Sequence, residues 1–453
     1  MTSNRKFKRV ATRSSVGFVV TATAAAGIFV ATIAQPQYPL LTADPLPVDI
    51  VSSSNHTVAC TGALPLLGAD LSNPSLAIPQ GALQLQSYAG EAAQLRREAG
   101  DAAGAGTAFT ASADVQLAAA GSQTLAADNA AGYVAVNCAA PSTEQWIVAG
   151  KTVLGSSVTL SLANPGTKTA TVQVTAYAAN GKVQGGKTTG AVVPPGQVRT
   201  ISVNGLAPEV GELALHVQSH GGAVTAQLGI SEVHDIRTFG VDLVAAQAAP
   251  STTLLFPGLR TTATQRGSDA SSNSRNELFL FAPDNSGTAE IHALGDNGRK
   301  HITTVTLEAG KVANVELLDW PAGAALEVTS QVPVVGGAGG TTLTSGKTDM
   351  AWYAPAPELT SAAIAVVQGG HLHLVNPGPT PAEVQLTPRD GRPQKITVAA
   401  GSQHTITAAP ALAQLTASGP IHAGITIFNN DGTAAYPVVG SSTQKDQLLL
   451  FTD

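Results

Sequence analysis

The sequence predicts an all-β protein: tandem immunoglobulin-like β-sandwiches behind one N-terminal transmembrane helix. Three observations lead there. Charged residues are only 12% of the 453-residue chain, and 46 glycines and 27 prolines punctuate it. That composition suits many short strands better than helices. Apolar and polar residues alternate in short runs bounded by turn residues, as half-buried strands require. Finally, the stretch Val158 to Gly166, ending Asn164-Pro165-Gly166, recurs as His371 to Gly378, ending Asn376-Pro377-Gly378. A degraded copy runs from Glu277 to Asp284-Asn285. The outer copies are two units of about 100 residues apart, which is immunoglobulin size.

Residues 1–15 form a basic segment with Arg5, Lys6, Lys8, Arg9 and Arg13. Residues 16–34 carry no charge. At about 1.5 Å per residue this run just spans a bilayer core of about 30 Å. The preceding basic residues keep the N-terminus cytoplasmic and send the rest out. On length the run reads as an uncleaved signal-anchor. The alternative is a cleaved signal peptide and a secreted protein, with Thr32-Ile33-Ala34 as the cleavage site. Residues 35–47 hold Pro36, Pro39, Pro45 and Pro47, an extended stalk.

The body divides into four β domains: 48–145, 146–250, 251–354 and 355–453. In the first, Gly81 to Tyr88 alternates as a strand, Glu91 to Glu98 looks helical, and Gly100 to Gly106 reads as a surface loop. Cys60 and Cys138 are the only cysteines. In an exported chain they predict one disulfide, pinning the first strand of this domain to one of its last. The second domain has Asn164-Pro165-Gly166, Asn180-Gly181 and Pro194-Pro195-Gly196 as turns. The third contains a polar loop from Thr261 to Arg275. The fourth ends in an apolar strand, Gln447 to Phe451, expected inside a sheet.

The formal net charge is −6. Residues 1–34 hold five of the 24 basic residues and no acid, so the body is more acidic than the whole chain and lacks the footprint of a nucleic-acid binder. Candidate chemistry is sparse. His371 and His373 share one strand face, with His404 and His422 as possible further ligands, but the spacing is not diagnostic of a metal. His216, His220 and His234-Asp235 lack a serine on a Gly-x-Ser-x-Gly elbow. Ser219-His220-Gly221-Gly222 reads as a tight turn. Gly336 to Gly340 reads as a hairpin loop, because no Lys-Ser/Thr follows as in a phosphate cradle. Glu277, Glu290, Glu308 and Glu316 sit in strands expected to display them outward. Dispersed carboxylates keep a hydrolase as the minor alternative. Trp146, Trp320 and Trp352 are assigned to packing, and Asn55-His56-Thr57 fits a glycosylation sequon. No catalytic, cofactor-binding or metal residue is assigned, and no cofactor is implied.

One combination carries a resemblance. Cys138-Ala-Ala-Pro-Ser-Thr-Glu-Gln-Trp146 leads into the strand ending Asn164-Pro165-Gly166, followed by Val192-Val-Pro-Pro-Gly196. This resembles a family of exported, membrane-anchored actinobacterial proteins of unknown function, most strongly over 133–230. The resemblance implies an envelope location. Members often lie beside glycosyltransferase genes, which implies cell-envelope polysaccharide. It transfers no activity and no site residues. The expected function is a non-catalytic extracytoplasmic scaffold binding an envelope protein or polysaccharide. The alternative is an accessory subunit of a membrane glycosyltransferase or polysaccharide exporter.

Overall fold

The computed structural model describes residues 46–68, 72–73, 76–97, 105–127, 130–187, 190–234, 237–260, 276–296, 298–317, 320–321, 323–344, 347–407, 409, 411–441 and 443–450. The basic segment, the anchor 16–34, most of the stalk, most of the 100–106 loop and the 261–275 loop lie outside these residues. Among the described residues no helix is long and apolar enough to cross a membrane. The structure is strand almost throughout. The one helical turn described, Val203–Leu206, is capped by the Ser202 side chain.

One strand plan serves residues 144 to 437 three times. In its first use, one sheet runs Gly181–Lys187, Ala170–Ala178, Ala214–Gly221, Glu144–Val148. The other runs Gln197–Ser202, Ser156–Asn164, Thr225–His234, Arg237–Ala245. Val158, Leu160 and Leu162 of one sheet and Val172, Val174 and Leu215 of the other join one core. The second use has Gly298–Leu307, Gly287–Gly295, Ala325–Thr344 and Ser251–Phe256 in one layer. Its other layer is Val312–Glu316, Glu277–Phe281, Ala325–Thr344 and Lys347–Tyr353. The third use repeats this around Leu412–Asn429.

One strand of each of these two uses is therefore long enough to belong to both layers. Ala325–Thr344 and Leu412–Asn429 are 20 and 18 residues long. In the first use the same path is broken at Gly221-Gly222. This segment was expected to be a tight turn within a hairpin. It is instead the point where the chain leaves one sheet for the other, since Ala214–Gly221 and Thr225–His234 pair with different neighbours.

The first group of strands is reduced but related. Thr107–Ser112 pairs with Leu46–Cys60 and Glu91–Gln94, while Ala119–Ala127 pairs with Gln84–Ser87 and Ala130–Asn137. Glu91 to Arg97 is thus extended, not helical. Glu91–Gln94 finds a strand partner, and Arg96–Arg97 pairs in parallel with Gln197–Ser202 of the next group. Sheet pairing outweighs a local helix preference of a few tenths of a kcal/mol per residue. The predicted disulfide joins Cys60 and Cys138, with Cα atoms 4.3 Å apart. It ties Leu46–Cys60 to the end of Ala130–Asn137.

The corners explain the repeated Asn-Pro-Gly. Asn164 is fully buried; its Nδ2 donates to the Lys168 and Val193 carbonyls, both at 2.8 Å, and its Oδ1 accepts from Gly166 N at 3.0 Å. Asn376 repeats this with Thr380 O at 2.8 Å, Val398 O at 3.1 Å and Gly378 N at 3.0 Å. In the degraded copy Ala282 holds this position, and its carbonyl accepts from Gly310 N at 2.8 Å.

Asp49–Leu448 forms one compact unit. Of the other unit, Met1–Val48 with Leu449–Asp453, only the strand residues 46–48 and 449–450 are described. Within the large unit the cores merge. Phe279, Phe281, Val335 and Trp352 of the third group pack into the core of the second. The Phe281 ring lies 5.6 Å from Trp146 and 4.6 Å from Tyr177. Each such buried aromatic contributes about 1.5–3 kcal/mol.

Candidate functional site: the junction of four strands

A late strand of each group reaches one common place. Ala130–Asn137 packs on Arg237–Ala245, that strand on Lys347–Tyr353, that on Gly432–Pro437, and the last returns to Ala130–Asn137. Near the start of these strands stand Gly132-Tyr133, Gly240-Val241, Asp349-Met350 and Gly432-Thr433. Three copies have glycine where the fourth has aspartate.

The Asp349 carboxylate occupies the space the three glycines leave. A Cβ at Gly132 or Gly432 would overlap it, and one at Gly240 would come within 2.9 Å of its Oδ1 and 2.6 Å of Met350 N. Oδ2 accepts from Tyr133 N and Thr433 N, both at 2.9 Å. Oδ1 accepts from Val241 N at 3.1 Å, and the Met350 amide also bonds the carboxylate. One side chain therefore bonds the backbones of all four groups. Asp349 is 3% exposed and the neighbouring Asp242 0%. Asp242 accepts from Leu243 N at 2.8 Å and Trp352 N at 2.5 Å. Burial pushes the Asp349 carboxyl up to about 7, against the pull of its amide donors. Burial also raises Asp242 well above the usual carboxylate range, and the field of Asp349 adds to this.

Other buried or half-buried polar side chains sew the seams between groups. Gln227 Oε1 accepts from Thr61 Oγ1 at 2.8 Å and Gln227 Nε2 donates to Asn137 O at 3.0 Å. Gln247 Nε2 donates to Gly336 O at 2.8 Å. Gln403 Oε1 accepts from Gly258 N at 2.7 Å. Arg97 Nη1 donates to Thr200 Oγ1 and Nη2 to Thr61 O, both at 2.8 Å, and burial lowers its pKa to about 10.

The residues singled out from sequence distribute differently. His373 is buried, with Nδ1 3.0 Å from Thr405 Oγ1 and Nε2 2.8 Å from Thr426 Oγ1, and burial lowers its pKa to about 3. His422 Nδ1 is 2.8 Å from Ala356 O, while His404 is exposed. Among the described residues no group of three or more His, Cys, Asp or Glu is placed to hold a metal ion. His216 stacks on Trp146 with ring centroids 3.8 Å apart and meets Glu144 at 2.8 Å. Asp235 lies outside the described residues.

Glu290, Glu308 and Glu316 are exposed, but Glu277 is not. It faces Lys151 of the preceding group at 3.7 Å. Gly336 to Gly340 is no hairpin loop; it lies inside the strand Ala325–Thr344. These glycines let neighbours approach: a Cβ at Gly337 would overlap the Val148 carbonyl, and one at Gly339 would meet the Trp352 ring at 3.0 Å. Sequence reading also passed over a polar row across three strands. His292 lies opposite both His301 and Glu327 in register. Its Nε2 is 3.7 Å from Glu290, and Arg299 bonds Glu327 at 2.5 Å and the Pro377 carbonyl at 3.2 Å.

The model of a family of unknown function, DUF5719, matches residues 95–411. No curated protein matches the chain. Among solved structures, the crystal structure of a tetra-tandem repeat in the extending region of a large adhesion protein aligns at 12% identity. It covers 91% of this chain and 97% of that one with a TM-score of 0.10, too low to bear on the fold.

Proposed function

The chain belongs to DUF5719, a family of unknown function, and from that premise we propose a non-catalytic scaffold or interaction protein of the cell envelope. In this reading residues 16–34 anchor it in the membrane as a single-pass protein. The body stands outside the cytosol as sandwiches of immunoglobulin size with a strand order of their own.

One observation carries the reading. Polar side chains that are buried, Asp349, Gln227 and Gln403, or half-buried, Gln247, are engaged with the backbone of neighbouring strand groups. Such bonds fix the shape of a body, which suits a surface that presents itself to a partner. The Cys60–Cys138 disulfide supports an oxidising compartment.

The test is membrane fractionation, followed by a detergent pull-down through a C-terminal tag with mass spectrometry. Recovery in the membrane fraction with envelope proteins or polysaccharide fragments supports the scaffold. A stoichiometric glycosyltransferase or exporter would replace it with the accessory-subunit reading. Recovery in the cytosol would overturn both.

A further inference from the structure

Asp349 and Asp242 place two carboxyls in one buried junction. Every hydrogen-bond partner described for either is a backbone amide. Amide donors favour the ionised form of the carboxyl they bond, but they carry no net charge to offset a second carboxylate in the same junction. Ionising both groups would leave two like charges in a low-dielectric core, with no ion-pair partner for either among the described residues. Close carboxyls in such a setting titrate as a pair and retain a proton.

The titratable neighbours come from every strand of the junction. Ala130–Asn137 brings Tyr133, which feels Asp431 beside Gly432. Lys347–Tyr353 brings Tyr353, which feels Asp242 and Arg260. Gly432–Pro437 brings Tyr436, which feels Tyr133. Arg237–Ala245 brings Asp242 itself. Burial raises all three phenols, so they stay neutral near pH 7. Proton exchange at the junction below pH 8 falls on the two carboxyls.

We propose that Asp349 and Asp242 form a proton-operated latch. One carboxyl holds a proton while the four strands are closed, and releasing it as the pH rises through neutrality loosens the junction. Asp349 is the moving part, because its carboxylate is the atom group that all four strands share. The sign follows from burial. The folded pKa is raised above the unfolded value of about 3.9. The contribution to stability is therefore complete below about pH 4 and is lost as the pH rises through about 7.

The experiment is thermal melting of the full chain, disulfide intact, from pH 4.5 to 8.5, with Asp349→Asn and Asp242→Asn alongside. For the native sequence, the folding constant attributable to the junction should fall by up to about tenfold per pH unit on the way to neutrality. Asp349→Asn should flatten that part of the profile. Parallel profiles for the native chain and Asp349→Asn would overturn the latch. Should the variants fail to fold, carbon-13 carboxyl labelling of aspartate in the native chain decides. A carboxyl resonance titrating above pH 6 supports the latch, and titration of all aspartates near pH 4 overturns it.

Discussion

Replacing Asn164 by alanine tests the repeated corner quantitatively. The side chain is fully buried and makes three hydrogen bonds, to Lys168 O, Val193 O and Gly166 N. At about 1 kcal/mol net each, Asn164→Ala should cost about 3 kcal/mol. The buried Val193 carbonyl, losing this donor, can add to the cost, since an under-satisfied buried acceptor costs more than the bond it lost. Asn376→Ala removes a matching set, to Thr380 O, Val398 O and Gly378 N. The two variants should therefore agree within about 1 kcal/mol, and their effects should add in the double variant, because they share no partner. The assay is urea denaturation of the full chain followed by far-ultraviolet circular dichroism, with midpoints compared at constant slope. A loss under about 0.5 kcal/mol in either variant would refute the claim that this side chain holds the corner. Unequal losses beyond about 2 kcal/mol would refute the equivalence of the two copies.

The other predictions concern the seams. Gly337→Ala pushes a methyl group into the Val148 carbonyl, so it should cost about 3 kcal/mol or prevent folding, read from soluble yield and melting temperature. Reducing the Cys60–Cys138 bond, which closes a sequence separation of 78, should cost up to about 4.5 kcal/mol by the chain-entropy model. Melting with and without dithiothreitol measures it, and an unchanged midpoint would contradict it. The Lys151–Glu277 pair, at 3.7 Å, has its carboxylate buried, and Lys151 also faces the buried Glu232. Lys151→Met leaves these carboxylates without their cation and should cost more than about 1 kcal/mol, and a smaller loss in urea titration would contradict a bridging role for the pair.

Some of this architecture was legible from the sequence and some was not, for identifiable reasons. Asn164 and Asn376 announced the corners because a turn needs an Asn side chain, a fixed φ and a flexible glycine in order. Cys60 and Cys138 were readable because two cysteines have only one pairing. Gly336 to Gly340 misled, since a glycine run marks a loop by local rules. Here it marks the approach of Val148 and Trp352 from elsewhere in the chain, which no local rule sees. Glu91 to Arg97 misled in the same way, its strand partner being distant. Glu277 was placed outward, whereas it opens a strand whose residues are buried on both faces. Asp349 left a faint signal: aligned by their final strands, the groups show Gly132, Gly240 and Gly432 against one aspartate. Reading it requires knowing that the four positions meet.

The junction also sets the number of its own parts. Asp349 bonds one amide from each of the other three groups and one beside itself. Its two oxygens have little capacity left for another donor. The final strands form a closed cycle, in which the fourth lies against the first. Beads on a string can be gained or lost by duplication with little penalty, since each touches only its neighbours. In this molecule an added group would find no seat at the centre, and a deleted one would leave an amide position empty beside a buried carboxylate. The number of groups at this centre is fixed by closure, as the number of staves is fixed by the hoop of a barrel.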